Sequence, residues 1–229
     1  RALVRAKVGL YSMPANADGV QRATTLRTYR NYANLAESYS AIPSRLLAIT
    51  HGVSAVGKSH VAMRLVEALG AIRVRSDVER KRLFGEQPQD NAGQLTTGIY
   101  DLDASAATYQ RLHDVAATVL RAGFPVVLDA TYLKHEQRQA AADVASQTGV
   151  PFLILDCHAP EAVIASWLEQ RQAENTDPSD ATLDVVKAQQ ASREALDAQE
   201  LLQSTRVDTQ DAGSMDQVIE QIRQRLPGL

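Results

Sequence analysis

The sequence has little of what marks secreted, disulfide-linked or membrane-spanning proteins. It contains one cysteine, Cys157, among 229 residues, so no disulfide can form within the chain. Its longest apolar runs, such as VPFLIL over 150–155, are far too short to span a bilayer. No signal-peptide pattern is visible in it. Together these absences favour a reducing compartment and no membrane contact, and we predict a cytoplasmic location.

An excess of charge of one sign is lacking as well. The chain has 24 basic and 27 acidic residues, a formal net charge of -3, and 45% hydrophobic residues. This balance argues against a protein that coats nucleic acid without sequence specificity, although it leaves a local basic patch possible. The five histidines show no metal-site spacing with the cysteine. We therefore expect a globular protein with a buried core that does not act by coating nucleic acid.

Five short apolar segments alternate with segments of helical periodicity. The apolar segments cover residues 45–50, 71–77, 124–131, 151–157 and 205–209. The helical patterns cover residues 58–70, 78–84, 102–123, 134–149, 160–172, 182–200 and 215–226, whereas the polar stretch 85–98 predicts a surface loop. Strands that are joined by helices lie parallel, because a parallel pair needs a crossover connection. The pattern therefore predicts a doubly wound α/β domain with a five-stranded parallel sheet sandwiched by helices.

The first 43 residues follow a different pattern. The chain begins at Arg1 with the basic stretch RALVRAKVGLYS, and residues 20–40 place apolar side chains near one helical face before Pro43 breaks the pattern. We interpret residues 1–43 as a helical extension, the tail of a preceding domain, and residues 44–229 as the α/β domain itself.

The stretch HGVSAVGKSH has the spacing of a phosphate-binding loop. Gly52, Gly57, Lys58 and Ser59 satisfy G-x-x-x-x-G-K-[ST] between a predicted strand and a predicted helix. In such a loop the backbone N–H groups and the helix N-terminus surround the phosphates, the lysine reaches the β- and γ-phosphates, and the serine hydroxyl ligates Mg²⁺. We therefore predict binding of ATP, with GTP left open, and of Mg²⁺. The predicted nucleotide contacts are Gly52, Val53, Ser54, Ala55, Val56, Gly57, Lys58, Ser59 and His60.

Three positions in and after the loop carry unusual residues. Ala55 and Val56 keep their backbone N–H groups, so their methyl groups must point away from the phosphates. His60 stands where many loops of this type have a threonine whose hydroxyl can touch the α-phosphate. We expect nucleotide binding to be weakened or altered, not abolished. His60 itself is either a surface imidazole of the helix or a catalytic base.

Two carboxylates follow predicted strands, at the edge where ligands of open α/β sheets bind. Asp77 ends the strand in RSDVERKR, and Arg80 lies one helical turn further on. Asp77 can accept a hydroxyl proton as general base, with Arg80 orienting the acceptor or steadying charge; capping of the next helix is the other interpretation. Asp129 ends the strand in VVLDAT and either holds Mg²⁺ together with Ser59 or is a polar strand end.

Further polar residues would complete an acceptor site and a lid. Thr131 and Arg138 follow the strand that ends in Asp129 and are candidate contacts to the acceptor. Arg171 ends a predicted helix before the polar segment AENTDPSDA, as in a lid whose arginine closes over the phosphates and excludes water. A surface arginine is the alternative, and we place the lid near residues 171–181.

The order of these motifs resembles that of small P-loop kinases: a phosphate loop, SDxxR, a strand ending in DAT and a late arginine lid. It is similar to the group that contains gluconate kinases, polynucleotide 5′-hydroxyl kinases, zeta toxins and chloramphenicol phosphotransferase. Three strings more closely resemble the ATP-binding C-terminal half of bacterial bifunctional proteins whose other half is aminoglycoside-phosphotransferase-like. They are IRVRSDVERKRLFG, TYQRLHDVAATVLRAGFPVVLDATYLKHEQR and PFLILDCHAP, and the match covers residues 45–209.

This resemblance implies a P-loop NTPase fold and assigns roles to the motifs. It implies that Lys58 contacts the phosphates, that Asp77 is the base, that Arg80 and Arg171 are charge partners, and that Mg²⁺ lies near Ser59 and the DAT aspartate. It also implies a preceding phosphotransferase-like domain, because the stretch RALVRAKVGLYS resembles the tail of such a domain. The acceptor and the oligomeric state are left open.

Three functions remain open at this point. The first is an ATP-dependent small-molecule kinase, in which Asp77 activates an acceptor hydroxyl for attack on the γ-phosphate. The second is a regulatory module that senses ATP for a partner domain and needs no base at Asp77. The third is a polynucleotide kinase, or a toxin that modifies a nucleotide sugar; a basic channel leading to Asp77 would support the nucleic-acid version.

Overall fold

The computed structural model describes residues 1–38, 45–84, 102–174 and 182–225. The chain separates into two compact units, Arg1–Ile42 and Pro43–Leu229. The predicted surface loop at 85–98 and residues 175–181 of the predicted lid lie outside the described residues. Among the helices of the described ranges, none has the length and apolar character needed to cross a bilayer.

The first unit consists of two helices that pack against each other. They are α1 (Ala2–Tyr11) and α2 (Gly19–Ser38). The predicted N-terminal helix is present as α2, whereas the basic stretch at the start forms α1, a separate helix that its sequence pattern does not indicate. Val20 at the start of α2 is 76% exposed and Leu26 is 45% exposed, whereas Ala33 and Ala36 of the same predicted face are half-buried.

A five-stranded sheet forms the centre of the second unit. Its strands are β1 (Leu47–His51), β2 (Ile72–Arg75), β3 (Val126–Asp129), β4 (Phe152–His158) and β5 (Ser204–Asp208). They lie in the order β2-β3-β1-β4-β5, and every pair is parallel. The predicted five-stranded parallel sheet is thus confirmed, and the loops at its carboxyl edge follow β1, β2 and β3 side by side.

Eight helices of the described ranges connect or follow the strands. They are α3 (Lys58–Leu69), α4 (Ser76–Leu83), α5 (Leu102–Arg121), α6 (His135–Thr148), α7 (Glu161–Glu174), α8 (Leu183–Ser192), α9 (Ala198–Leu202) and α10 (Ala212–Arg225). Successive residues of a strand point to opposite faces of the sheet. Every residue of β1 is buried, which shows that helices cover both faces. Ala48 belongs to the apolar cluster that includes residues of α3 and α10, whereas Leu47 and Ile49 belong to the cluster that includes residues of α5 and α6.

The helix predicted over residues 182–200 is in fact two helices, α8 and α9, with an extended segment between them. Arg193 leaves α8 with φ -65° and ψ 131°, and the Glu194 N–H donates to the Leu133 carbonyl at 2.9 Å. Asp197 then caps α9, since its Oδ1 accepts hydrogen bonds from the backbone of Gln199 and Glu200 at 2.8 Å each. Contacts with distant parts of the chain, which helical periodicity does not register, therefore end α8.

An ion pair in the interior joins α6 to α9. Arg138 is 1% exposed, and it donates to Glu200 from Nε at 2.6 Å and from Nη2 at 3.0 Å. Its remaining hydrogen bonds go to the carbonyls of Tyr132, Glu194 and Ala195 at 3.2–3.3 Å. Burial alone would raise the pKa of Glu200, but the Arg138 guanidinium lowers it below its ordinary value. The pair therefore fixes the 193–197 segment against the start of α6.

Candidate active site

The loop between β1 and α3 has a backbone conformation suited to anions. Gly52, Ala55 and Gly57 have positive φ values of 140°, 61° and 91°, and α3 begins at Lys58, directly after the loop. A loop that turns in this way can gather successive N–H groups around a phosphate, and the helix N-terminus adds positive potential. Residues 52–59 therefore have the shape that the motif predicts.

The unusual residues of the loop, Ala55 and Val56, are both buried. Ala55 and Val56 are 5% and 2% exposed, and both pack in the apolar cluster of α3 and α10. Val56 is absent from the lining of the cleft described below, whereas Ala55 is part of it, so the expected direction of the Ala55 methyl group stays a prediction. His60 is exposed on α3, and its backbone N–H donates to the Gly57 carbonyl at 3.0 Å. The exposure favours the surface-imidazole interpretation of His60.

Two glycines of the loop are required by close contacts as well as by backbone angles. A Cβ on Gly52 would lie 2.9 Å from the Cys157 carbonyl oxygen, and a Cβ on Gly57 would lie 2.9 Å from the Thr209 Cβ. The first contact is with backbone, which cannot rotate away as a side chain can. Gly52 therefore holds the loop close to the end of β4.

We expect Gly52→Ala to lower the free energy of unfolding by about 1–3 kcal/mol and to weaken nucleotide binding, because alanine at φ 140° is strained and meets Cys157. Chemical denaturation and calorimetric titration with ADP measure the two effects. Gly70→Ala is the matched control, since Gly70 also has a positive φ, 64°, but no atom lies within 4 Å of a Cβ there. The control should cost about 1 kcal/mol and leave ADP affinity unchanged. Equal ADP affinity in both variants would contradict the role given to Gly52.

One cleft brings together predicted residues that lie far apart in the sequence. Its lining comprises Ser54, Ala55, Gly57, Lys58, Ser59, Arg75, Ser76, Asp77, Asp129, Ala130 and Thr131. The phosphate loop thus shares the cleft with the ends of β2 and β3 and with the first turn of α4. A nucleotide phosphate and the predicted base would meet here, as expected for ligands at the carboxyl edge of an open sheet.

The oxygen donors of the predicted metal site lie side by side. Ser59 Oγ donates a hydrogen bond to Asp129 Oδ2 at 2.9 Å. Hydroxyl and carboxylate oxygens are ligands that Mg²⁺ accepts, so these two residues fit the ion that a phosphate loop implies. Arg73, which sequence reasoning did not single out, donates to the same Asp129 oxygen from Nε at 2.9 Å. Lys58 Nζ donates to the Val53 carbonyl at 2.6 Å across the loop.

Asp77 lies in the first turn of α4 and lines the cleft. The N-cap of α4 is Arg75, and no side chain makes a capping hydrogen bond, so the interpretation of Asp77 as a helix cap is wrong. Burial raises the pKa of the Asp77 carboxyl, against the charges of Arg75 and Arg80, which lower it. Its side chain keeps 31% exposure, and the Arg75 guanidinium is 3.9 Å away. An accessible carboxylate with a raised pKa is suited to accept a proton.

Thr131 lines the cleft and joins the turn after β3 to the phosphate loop. Its carbonyl accepts a hydrogen bond from the Gly52 N–H at 3.1 Å, and its Oγ1 lies 3.0 Å from the hydroxyl of Tyr109 on α5. The next residue, Tyr132, is fully buried with a φ of 47°, and its N–H donates to the same Tyr109 hydroxyl at 3.2 Å. Tyr109 therefore fixes the turn after β3, a role that its sequence context does not signal.

The structure places the three arginines predicted for the site on different helices. Arg80 lies one turn after Asp77 on α4, and its charge acts on that carboxyl. Arg171 lies on α7, but its side chain is outside the described part of the chain, and its role as a lid arginine stays a prediction. The prediction that Arg138 contacts the acceptor is corrected by its buried pair with Glu200, because each of its nitrogens donates within the interior.

A buried histidine precedes the phosphate loop and is neutral. His51 Nδ1 donates to the Tyr132 carbonyl at 2.9 Å, and its Nε2 accepts from Arg193 Nε at 3.1 Å. Arg193 also donates to Asp156 Oδ1 at 2.9 Å. An acceptor at Nε2 must be unprotonated, so these contacts fix one tautomer. Burial, followed by the charge of Arg193, lowers the pKa of His51 to about 4.

The neutral His51 predicts an acid-sensitive fold. Between pH 6.5 and about 4 the unfolded chain binds a proton at His51 that the folded chain does not, so the free energy of unfolding decreases as the pH is lowered. The loss reaches about 3 kcal/mol for a shift of this size. Asp77, whose pKa is raised, contributes in the opposite direction. The difference between wild type and His51→Asn in urea titrations from pH 7.5 to pH 4 isolates the histidine.

We expect the free energy of unfolding of His51→Asn to vary less with pH than that of wild type over this range. His113, whose pKa burial also lowers, supplies the control: His113→Asn should retain the His51 part of the slope. Identical pH profiles for wild type and His51→Asn would show that His51 is not held neutral.

The segment after α7 also contacts the phosphate loop directly. Gln189 of α8 accepts a hydrogen bond from the Ser54 N–H at 2.7 Å through its Oε1. This bond attaches α8 to the loop, and Arg193, directly after α8, contacts His51 at the end of β1. The helix that follows the predicted lid is therefore fixed to the phosphate loop by side-chain contacts.

The parallel sheet, its strand order and the loop between β1 and α3 define a P-loop NTPase fold, a fold of nucleotide-binding proteins. Residues 47–196 match the sequence model of the family AAA_33, which is described as an AAA domain. The chain belongs to this family.

Related proteins of known sequence are longer than this chain. It is 29% identical over 199 residues to the uncharacterized proteins Rv2004c of Mycobacterium tuberculosis (strain ATCC 25618 / H37Rv) and Mb2027c of Mycobacterium bovis. The alignment covers 82% of this chain and 36% of each relative. The chain thus spans about a third of the length of the curated relatives it matches.

Solved kinase structures share the fold. A sugar kinase from Janibacter sp. HTCC2649 superposes with a TM-score of 0.58 at 19% identity, over 81% of this chain and 97% of that one. A gluconokinase from Sinorhizobium meliloti 1021 gives 0.52 at 19% identity, over 80% and 98%. The APS kinase CysC of Mycobacterium tuberculosis, in complex with AMPPNP and APS, gives 0.54 at 18% identity, over 80% and 97%. At these identities the similarity concerns the fold alone.

Proposed function

We propose that this chain is a small-molecule kinase, which transfers the γ-phosphoryl group of ATP to a hydroxyl of its acceptor. The observation that carries the proposal is the position of Asp77, a carboxyl with a raised pKa, in the same cleft as Lys58 and Ser59 of the phosphate loop. A protein that only bound the nucleotide would have no use for a proton acceptor there. The kinase folds of the sugar kinase and the gluconokinase support the same class of reaction.

The predicted residues of the cleft each have a role in this reaction. Loop N–H groups and Lys58 bind the β- and γ-phosphates, and Ser59 and Asp129 would hold Mg²⁺, which neutralises phosphate charge. Asp77 accepts the proton of the acceptor hydroxyl as that oxygen attacks the γ-phosphorus, and the bond from that phosphorus to the ADP oxygen breaks. Thr131, which lines the cleft, contacts the acceptor. Arg80 and, from the lid, Arg171 stabilise the charge that spreads over the transferred group.

We also propose that the chain is part of a longer protein with a phosphotransferase-like domain. This proposal has its support in the sequence resemblance and in the relatives, of which the chain covers 36%. The proposed acceptor belongs to the cleft described above, not to that other domain. A cytoplasmic location is part of the same proposal.

The proposed function is tested by ATP consumption in the presence of Mg²⁺, with and without fractions of small hydroxylated metabolites. The expected result is turnover that one or a few fractions stimulate and that GTP supports to a different extent. Tight ATP binding without stimulation by any fraction would instead favour the ATP-sensing module, in which α8, bound to the loop through Gln189, would report nucleotide occupancy. Stimulation by oligonucleotides would favour the polynucleotide kinase.

A further inference from the structure

Arg73 of β2 is a charged residue in contact with Asp129 of the site, and the proposed reaction gives it no role. Its side chain is 16% exposed, that of Asp129 is 5% exposed, and the two form an ion pair. Arg73 pairs in register with Val127 of β3, and Asp129 follows two residues later. Since alternate residues of a strand share a face, the sheet itself places this guanidinium beside the carboxylate that the metal site uses.

The contacts of Asp129 fall on one of its two oxygens. Oδ2 accepts from Arg73 Nε at 2.9 Å, from Arg73 Nη2, and from Ser59 Oγ at 2.9 Å. Oδ1 makes no hydrogen bond with the residues that the structure describes. Arg73 therefore orients the carboxylate and cancels its single negative charge, while one oxygen is left for another ligand. Lys58 and Arg75, which line the same cleft, add positive charges, and Asp77 adds a negative one.

We infer that Arg73 makes metal binding depend on the nucleotide. In its presence a free divalent cation meets no net negative charge at Ser59 and Asp129, and repulsion by the guanidinium opposes its entry. The phosphates of a bound nucleotide bring enough negative charge to outweigh Arg73, so the cation binds with them and not before them. The inference deepens the proposed function, on which it rests for the identity of the metal site, and it makes Arg73 a positioning residue.

Electrostatics sets the size of the expected effect. A unit charge within about 4–6 Å of a carboxylate shifts proton affinity by 1–3 pKa units, and a divalent ion experiences at least as large a field. Replacing Arg73 by methionine should therefore raise the affinity for Mn²⁺ in the absence of nucleotide by about tenfold or more. Lysine at this position keeps the charge and should keep the affinity low. If Arg73 had only a structural role, Mn²⁺ affinity would not depend on whether residue 73 carries a positive charge.

The test is the binding of Mn²⁺ to the full chain without nucleotide, followed by the electron paramagnetic resonance signal of the free ion. Wild type and Arg73→Lys should bind Mn²⁺ weakly. Arg73→Met and Arg73→Gln should bind it at least about tenfold more tightly. The double variant that combines Arg73→Met with Asp129→Asn should again bind it weakly. With saturating ADP the difference between wild type and Arg73→Met should shrink, because the phosphates dominate the site.

Two results would overturn the inference. One is Mn²⁺ affinity in Arg73→Met and Arg73→Gln that equals or falls below that of wild type. The other is loss of the folded circular-dichroism spectrum in both variants, which would make the ion pair structural. Failure of the proposed kinase function has a different signature: the absence of acceptor-stimulated turnover in wild type leaves the comparison of Mn²⁺ affinities intact.

Discussion

Asp77→Asn should lower the rate of phosphoryl transfer about 10²–10⁴-fold, the usual contribution of a general base, and should leave nucleotide affinity close to that of wild type. Asparagine keeps the shape of the side chain in the first turn of α4 but cannot take up the acceptor proton. Steady-state kinetics with a stimulating metabolite fraction and calorimetric titration with ADP measure the two quantities. We expect the loss to appear in kcat, because the proton is transferred only during the reaction.

The matched control is Asp184→Asn. Asp184 also lies in the first turn of a helix, α8, but it is exposed and does not line the cleft. This variant should retain full activity, so any general effect of losing a first-turn carboxylate is accounted for. Equal activity of Asp77→Asn and wild type would remove the base from the mechanism. A second consequence is that activity should rise with pH through the raised pKa of Asp77, since only the ionised carboxylate accepts a proton.

Arg138→Met should lower the free energy of unfolding by about 3–5 kcal/mol, as is typical when one partner of a buried ion pair is removed. The substitution leaves the Glu200 carboxylate in the interior without its guanidinium partner. It also removes the donor to the carbonyls of Tyr132 and Ala195, and buried polar groups that lose their partner are costly. Urea or thermal unfolding measures the effect.

An exposed ion pair at the start of the same helix provides the comparison. Lys134 and Glu194 lie 3.1 Å apart with 41% and 47% of their side chains exposed, so Lys134→Met should cost only about 0–1 kcal/mol. Full stability of Arg138→Met together with loss of acceptor-stimulated turnover would instead support the original prediction that Arg138 contacts the acceptor.

The parts of the site that sequence reasoning located are those whose signal is local. The phosphate loop combines a motif with the strand before it and the helix after it, and Asp77 and Asp129 follow from the rule that ligands bind at the carboxyl ends of parallel strands. Arg73 could not be found in this way. Its partner is 56 residues away on a neighbouring strand, and the sequence does not give the order of the strands.

The same limit applies to the contacts made by the segment after α7. Helical periodicity continues through residues 182–200, so nothing in the pattern signals that α8 ends at Ser192. The break depends on Arg193, which reaches His51 across 142 residues of sequence. The prediction for Arg138 was wrong for a related reason. A long cationic side chain near a predicted site suggests a ligand contact. Its buried partner Glu200 lies on α9, which the sequence pattern does not separate from α8.

The most direct measurement is the fate of the γ-phosphate itself. Wild type and Asp77→Asn would be incubated with Mg²⁺ and ATP labelled with ³²P at the γ-position, together with the pool of small hydroxylated metabolites, and the products separated by chromatography. We predict that wild type transfers the label to an organic phosphate ester and that Asp77→Asn does not. Label that appears only as inorganic phosphate, or that remains in ATP under every condition, would contradict the proposal that this cleft transfers phosphate to an acceptor hydroxyl.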